Sequence, residues 1–121
     1  MTFNNSKAVG VNFSSCNGLS SLIFKACLLD YSIFQGVEIP SLKMENSSLK
    51  DTDLSESKLV NACFSGCNLQ NAIFNSSDLS KADFRNAKNY YLDPQYTKIR
   101  NAKFSMPEAM SLLSALEIIV E

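Results

Sequence analysis

Side chains that could carry out catalysis are scarce in this chain of 121 residues, which contains no histidine. The absence of histidine removes the usual general base and every Ser-His or Cys-His nucleophile pair. The remaining candidates are carboxylates: Asp51, Asp53 and Glu56 lie close together in sequence, and Asp78 and Asp83 follow. A pair of carboxylates hydrolyses a glycosidic bond only in a cleft that shifts their pKa values apart. The elements that position these acids therefore decide whether any such chemistry is available.

The sequence also contains few residues that could bind a metal ion or a phosphate group. The four cysteines include no C-x-x-C pair, and a zinc site of the Cys-His type lacks its imidazoles. The four glycines form no phosphate-binding motif. We therefore predict no bound metal and no cofactor, and we interpret the cysteines as small apolar side chains.

Large apolar residues recur every five positions in the middle of the chain, at Phe64, Leu69, Phe74, Leu79 and Phe84. In an α-helix, a step of five residues turns about 140° beyond one full turn, so such side chains would spiral around every face. In a flat strand, an odd step changes faces each time. The chain must therefore bend at every repeat, and four units close a square coil of about 20 residues.

The run of apolar centres is long and has a companion row of small residues. The centres continue without interruption from Leu19 to Phe84, and all are Leu, Ile, Met or Phe, which chance gives at roughly 10⁻⁸. By strand alternation, the residue two positions before each centre also points inward. This row is Cys27, Ser32, Val37, Leu42, Ser47, Thr52, Ser57, Ala62, Cys67, Ala72, Ser77, Ala82 and Ala87. Mostly small side chains alternating with large ones suit a narrow closed interior.

The repeating units resemble those of a known family. "NACFS", "NAIFN", "SDLSK", "KADFR" and "NAKFS" are similar to the A(D/N)LXX unit of the pentapeptide-repeat proteins. The resemblance covers residues from about 19 to 104, with a weaker start from Phe3. It implies an all-β solenoid, a right-handed quadrilateral β-helix of about five coils. A convex rod of this kind offers the acids no cleft, so we expect them on the solvated surface and predict no enzyme activity.

Spacing of one coil predicts vertical stacks of large side chains along the shaft. The predicted core stacks are Phe24, Met44, Phe64, Phe84 and Phe104 on one side, and Phe34, Leu54 and Phe74 on another. Cys27 and Cys67 fall two coils apart, about 10 Å at the usual strand spacing. That distance exceeds the span of a disulfide, so we predict that the two thiols are not bridged.

The chain is predicted to form one domain with irregular ends. Residues 1–18 form an irregular first coil, 19–88 the regular repeats, 89–104 a bulged last coil, and 105–121 a C-terminal α-helix and strand. Ser105 and Glu108 match a capping box, and Pro107 suits a first helical turn. Family members of the quinolone-resistance branch use a similar segment, with an "LDP" turn, as their homodimer contact. The resemblance implies this role for Leu92, Asp93, Pro94 and Phe104, and for a cap made of Pro107, Ala109, Met110, Leu112, Leu113, Leu116, Ile118, Ile119 and Val120. A monomeric cap is the alternative.

The N-terminal end has no such cap. Phe3 and Phe13 share a phase one residue out of the main register, which predicts one inserted residue between Phe13 and Leu19. Natural proteins avoid an exposed sheet edge, so this end either continues a longer rod or meets another chain.

One stretch of the predicted outer wall is apolar. "SLIFKACLLDYSIF" places large residues at outward positions, and a further one follows two coils on. The candidate partner surface consists of Ile23, Leu28, Tyr31, Ile33 and Ile73. Alternatively, these residues reflect only the preference of β-structure for such side chains.

We interpret the chain as a non-enzymatic interaction or scaffold protein of the bacterial cytoplasm. Nothing resembles a signal peptide or a membrane span, and the net charge of −1 indicates no direct nucleic-acid binding. The alternative implied by the resemblance is a DNA-mimic protein that binds DNA gyrase or topoisomerase IV and confers quinolone resistance. A mimic needs dense negative charge, which weakens that alternative. The expected partners are therefore a second copy of the chain and another protein, which in the alternative interpretation is a topoisomerase.

Overall fold

The computed structural model describes residues 1–15, 22–106 and 108–116. Its strands are β1 (Thr2–Asn4), β2 (Ile23–Lys25) and β3 (Lys43–Glu45), which form a parallel sheet in the order β1-β2-β3. Phe3 pairs with Phe24, and Phe24 pairs with Met44. The chain therefore stacks on itself in parallel, one coil above the next.

Isolated parallel bridges extend this pairing beyond the three strands. From coil two onward the partners lie 20 residues apart, as in Leu28 with Ser48 and Ser48 with Asn68. From residue 23 onward, the bridges fall into four columns, which contain Ile23, Leu28, Ile33 and Glu38. Each column marks one side of a four-sided coil. The predicted solenoid of stacked coils is confirmed by this register.

The first coil is offset by one further residue. Lys7 pairs with Leu28 and Asn12 with Ile33, so partners there are 21 positions apart. The offset confirms the single insertion predicted between the first two coils. Cys16 and Leu19 lie in the segment outside the described residues.

The corners of the coil require a left-handed backbone. Asn61 has a φ of 63°, Asn71 of 60° and Gly66 of 72°. At corners such as that after Leu59, the amide of Ala62 donates to the Leu59 carbonyl at 3.0 Å. Asn, Asp and Gly tolerate this conformation better than other residues, which explains why such residues recur between the apolar centres.

Large side chains fill the shaft in vertical stacks. The rings of Phe64 and Phe84 are stacked with centroids 5.1 Å apart, and Phe84 continues onto Phe104 at 5.3 Å. Phe74 meets the ring of Phe64 edge-on at 5.8 Å. Of the predicted core-stack residues, Phe24, Phe34, Met44, Leu54, Phe64, Phe74 and Phe84 are fully buried, while Phe104 is partly buried. The mid-rod interior is a continuous apolar column.

Polar members of the small inward row are satisfied by backbone carbonyls. The hydroxyl of Thr52 donates to the Leu49 carbonyl at 2.8 Å, and that of Thr97 donates to the Phe74 carbonyl at 3.0 Å. Buried polar groups are costly only when they lack a partner. Ser and Thr therefore serve as small residues without penalty inside the shaft.

The last coil departs from the regular repeat. Asn89 and Pro94 occupy the phases of apolar centres, but both are exposed, and Tyr90 and Leu92 are buried instead. Pairing resumes in phase at Lys98, which bridges to Asp78. Residues 89–96 therefore replace one regular stretch of wall by a bulge of the same length.

The predicted C-terminal α-helix is wrong: Glu108–Leu116 forms a 3-10 helix. The apolar residues from which an α-helix was inferred include pairs three positions apart, such as Ala109 and Leu112. That spacing fits three residues per turn as well as 3.6, so the pattern could not distinguish the two windings. Pro107 and the predicted strand at Ile118, Ile119 and Val120 lie outside the described residues.

Within the described part of the chain, we find no helix long and apolar enough to cross a membrane.

Candidate functional site

One side of the coil differs from the other three in its exposed residues. It follows the bridge column in which Asn12, Ile33, Asp53 and Ile73 are paired in turn. In the last coil, the amide of Ser76 donates to the carbonyl of Tyr96, which places the bulge over this side. We call this surface the tyrosine face; it consists of residues 10–15, 31–36, 51–56, 71–76 and 91–96.

Large apolar side chains protrude from the tyrosine face into solvent. The exposed fractions are 63% for Tyr31, 37% for Ile33 and 47% for Ile73. Tyr91 and Tyr96, in the bulge of the last coil, are exposed by 56% and 62%. Because the residue before each inward centre points outward, the repeat itself puts Ile33 and Ile73 on the wall. The aromatic rings stand at or near the corners on either side of them.

The charges on this face are all negative. It carries Asp51, Asp53, Glu56 and Asp93, and no Lys or Arg occurs in any of its ranges. The carboxylate of Asp53 accepts hydrogen bonds from the amide of Ser55 at 3.0 Å and from its hydroxyl at 2.6 Å. Asp51 and Glu56 are exposed at the two corners of the same coil.

The other sides balance their charges instead. On the next side, Glu38, Lys58, Asp78 and Lys98 are paired in one column, and Lys58 lies 3.5 Å from Glu38. The pKa of Asp78 is lowered, chiefly by the hydrogen bond from the Ser80 hydroxyl, with Lys98 and Lys58 contributing. Carboxylates on this side therefore alternate with cations.

Asp83 is paired in a similar way on another side. Arg85 donates to its two oxygens at 3.0 and 2.8 Å, and this bond lowers the pKa of the carboxyl. A general acid needs a raised pKa, so Asp78 and Asp83 are shifted in the wrong direction for that role.

The predicted partner surface is divided by the fold. Tyr31, Ile33 and Ile73 share the tyrosine face, whereas Ile23 and Leu28 lie in other bridge columns and are half-buried. Tyr91 and Tyr96 are not part of the predicted partner surface, because that prediction grouped apolar residues along the chain rather than by coil. A spacing of whole coils could have identified them, because Tyr31 and Tyr91 are three coils apart in the sequence and therefore lie on the same side.

The C-terminal end of the shaft is covered by the bulge and by the 3-10 helix. The ring of Tyr90 lies 5.6 Å from that of Phe84 and 5.7 Å from that of Phe104, and Leu112 packs against the core. Of the predicted cap residues, Ala109 and Leu112 are half-buried and Met110 is exposed. Leu113 and Leu116 belong to the 3-10 helix, but their side chains lie outside the description.

A buried hydroxyl without a partner lies at this end. The Tyr90 side chain is buried, and no hydrogen bond reaches its hydroxyl from the described residues. Burial, together with Glu108, raises the pKa of Tyr90. A cleft of about 280 Å³ lined by Asn89, Tyr90, Glu108 and Ser111 opens beside it.

A groove beside the bulge has mixed chemistry. It has a volume of about 760 Å³ and lies beside the bulge, between Tyr96 and the side that carries Lys58 and Lys98. Glu56 and Asp78 also line it, so anionic and cationic groups are interleaved. It presents no charge of one sign to a ligand.

The described cysteines are free thiols. Cys67 is fully buried, its thiol donates to the Met44 carbonyl, and burial raises its pKa to about 12. Nucleophilic cysteine chemistry requires the thiolate, so this thiol is inert. No cluster of metal-ligating side chains occurs among the described residues.

A family model and several solved structures match the chain. Residues 42–71 and 53–88 match the family model of pentapeptide repeats, with 8 copies of the repeat. Comparison with curated protein sequences finds no match.

Solved structures share the fold at low sequence identity. HetL, a pentapeptide-repeat protein involved in heterocyst differentiation regulation from the cyanobacterium Nostoc sp. strain PCC 7120, superposes with a TM-score of 0.59 and 20% identity. The match covers 84% of this chain but only 50% of HetL, so the chain spans about half the length of that relative. This likeness is one of fold, and it implies a right-handed β-helical solenoid.

Two further structures are more distant in geometry. Trypsin-treated QnrB1, a plasmid-mediated fluoroquinolone resistance protein, matches with 19% identity and a TM-score of 0.36 over 100% of this chain and 90% of its own. The pentapeptide-repeat protein Rfr23 of the cyanobacterium Cyanothece 51142 matches with 17% identity and a TM-score of 0.38, over 87% and 84% of the two chains.

Proposed function

We propose that this chain, whose residues 42–88 match the family model of pentapeptide repeats, is a non-enzymatic interaction protein that binds another protein through its tyrosine face. The observation that carries the proposal is the exposure of Tyr31, Ile33, Ile73, Tyr91 and Tyr96 on one side of the coil. Contiguous exposed apolar residues rimmed by polar ones are typical of protein interfaces, and tyrosine is enriched there.

The chemistry of the described residues supports a binding role over catalysis. The chain lacks histidine, and burial makes the Cys67 thiol inert. Asp78 and Asp83 have lowered pKa values on an open wall. Binding needs none of these groups to react.

Affinity capture with paired variants tests the proposal. The double variant Ile33→Ser/Ile73→Ser removes apolar area from the tyrosine face, whereas Val9→Ser removes exposed apolar area outside it. We expect a partner to be retained by the wild-type chain and the valine variant and lost by the isoleucine variant. Equal retention by all three folded proteins would show that the face is not the binding surface.

Topoisomerase binding with quinolone protection is a second proposal, taken from the resemblance of the C-terminal segment to the quinolone-resistance branch. The alternation of Glu38, Lys58, Asp78 and Lys98 argues against DNA mimicry over the whole rod. DNA gyrase supercoiling, measured with and without a quinolone, decides the matter. Absence of any effect at micromolar protein would end this alternative.

We also propose that the C-terminal segment forms a homodimer contact in addition to capping the shaft. Met106 and Met110 are exposed at this end, by 68% and 39%. Light scattering should give the mass of a dimer for the wild-type chain and of a monomer for Met106→Lys/Met110→Lys. A monomeric wild-type protein would leave the segment with the capping role alone.

A further inference from the structure

We propose that the segment recognised by the tyrosine face is basic, with Lys or Arg side chains set among apolar ones. This inference rests on the function proposed above and adds the chemistry of the partner. The face combines exposed apolar groups with carboxylates and lacks cations altogether. A partner complementary to it must present cations and apolar groups together.

The separation of charge over the rod supports this assignment. The chain has 12 acidic and 11 basic residues, so its net charge of −1 conceals the asymmetry. All the basic residues lie outside the tyrosine face, while Asp51, Asp53, Glu56 and Asp93 lie within it. On other sides, three carboxylates have cationic partners: Lys43 beside Glu45, Lys58 beside Glu38 and Arg85 beside Asp83. The acids of this face have no Lys or Arg among the residues that share it, so a cationic partner would complement them.

The order of apolar and acidic residues along the tyrosine face predicts the order of apolar and cationic side chains in the partner. Ile33, Asp53 and Ile73 are bridged in one column, so the acid lies between two isoleucines. At the usual strand spacing, the isoleucines are about 10 Å apart. A cationic side chain of the partner would contact Asp53 on the third coil (residues 42–61), and apolar side chains of the partner would contact the isoleucines of the coils on either side. Tyr31 and Tyr96, at the corners, offer ring faces to a guanidinium or ammonium group.

The backbone at Tyr31 is consistent with a binding role. Its φ of 62° lies in the left-handed region, which a bulky aromatic residue seldom occupies. One and two coils on, the same corner holds Asp51 and Asn71, which tolerate that conformation better.

A peptide-binding experiment tests the inference. The probe is a fluorescein-labelled dodecapeptide of alternating arginine and leucine, and its counterpart replaces arginine by glutamate. Fluorescence anisotropy measures the affinity for the wild-type chain at low and at physiological salt. We expect the arginine peptide to bind more tightly than the glutamate peptide, with an affinity that falls as salt rises.

Two matched variants separate the face from net charge. Asp51→Asn/Glu56→Ser gives coil three the side chains that the same corners hold in coil four, Asn71 and Ser76. Glu38→Gln/Glu45→Gln removes the same charge from other sides. The first variant should weaken arginine-peptide binding about fivefold, the second less than about twofold. Tyr31→Asn should also weaken binding, and it relieves backbone strain rather than causing unfolding.

Three outcomes would overturn the inference: equal binding of the two peptides, equal loss in the two charge variants, or a dimer dissociated by Asp51→Asn/Glu56→Ser, which would make a second copy the occupant. Failure here is distinct from failure of the proposed function. If the isoleucine variant still loses a captured partner while the peptides show no preference for arginine, only the basic character of the partner is wrong.

Discussion

At the scale of single residues, the shaft accepts polar side chains wherever a carbonyl is within reach. Thr52 and Thr97 donate to carbonyls of the wall, and the Cys67 thiol does the same. Tyr90 is the exception, because its hydroxyl is buried at the end of the shaft without a partner among the described residues. The residues that close the rod are thus less well satisfied than those inside it.

Replacing Tyr90 by Phe should stabilise the protein. The tilted ring contacts with Phe84 and Phe104 are retained, while the cost of burying an unpaired hydroxyl, about 1–3 kcal/mol, is removed. Urea denaturation should show a higher midpoint at neutral pH. Tyr96→Phe is the matched control, since its side chain is exposed and should leave the midpoint unchanged. A lower midpoint for the Tyr90 variant would mean that the hydroxyl has a partner in solution.

The Asp83–Arg85 pair should make stability depend on acid pH. Its hydrogen bond holds the pKa of Asp83 below the ordinary value of 3.8, so the folded chain binds this proton less readily than the unfolded chain. The contribution is therefore complete above about pH 4 and is lost as pH falls through the folded pKa.

Thermal unfolding measured between neutral pH and about pH 2 tests this dependence. Asp83→Asn should flatten the acid limb of the curve, and Arg85→Met should do so as well because it removes the donor. Unchanged acid limbs in both variants would contradict the assignment.

At the scale of elements, the regular coils could be predicted from the sequence but the ends could not. Each middle unit repeats the same bend and the same burial, so the positions of Phe64 and Phe74 follow from the period alone. In the last coil, Tyr90 is buried out of phase, because packing at an end is set by what closes the shaft. The 3-10 conformation of Glu108–Leu116 could likewise not be predicted, because its apolar spacing suits a 3-10 helix as well as an α-helix.

The candidate site was predictable only in part for a related reason. Inward positions are constrained by packing, whereas outward positions are free to vary and show no period of their own. Ile33 and Ile73 were recognised as outward, yet the absence of cations from their whole side emerges only when residues are grouped by column. Half-buried Leu28 shows that an outward phase does not ensure exposure.

Two corner glycines should respond differently to the same substitution. Gly36 and Gly66 have φ values of 73° and 72°, so Ala at either position meets about 1–2 kcal/mol of backbone strain. At Gly36 a Cβ would find open space, whereas at Gly66 it would collide with the Asn46 side chain one coil below. Gly66→Ala should therefore be the more destabilising in denaturant titrations. Equal losses would show that Asn46 moves aside freely.

At the scale of the whole molecule, each coil buries its apolar side chains only against the coils above and below. Stability in such a solenoid is nearly one-dimensional, so a residue matters according to its neighbours on both sides. Phe64 is fully buried, stacks on Phe84 and meets Phe74 edge-on, whereas Phe3, on the first coil, is 37% exposed and stacks on Phe24 alone. The two phenylalanines therefore have the same side chain in one stack, but Phe64 lies in its interior and Phe3 lies in the first coil.

Truncating these two rings should reveal that difference. Phe64→Ala leaves a cavity in the middle of the shaft and should cost about 3–5 kcal/mol. Phe3→Ala should cost distinctly less, because water already reaches that ring and the coil beneath it stays intact. Equilibrium denaturation followed by circular dichroism measures both losses, and the signal should keep a single transition for the Phe3 variant. Equal destabilisation by the two substitutions would contradict nearest-neighbour stacking, since it would mean that the end coil contributes as much as one enclosed on both sides.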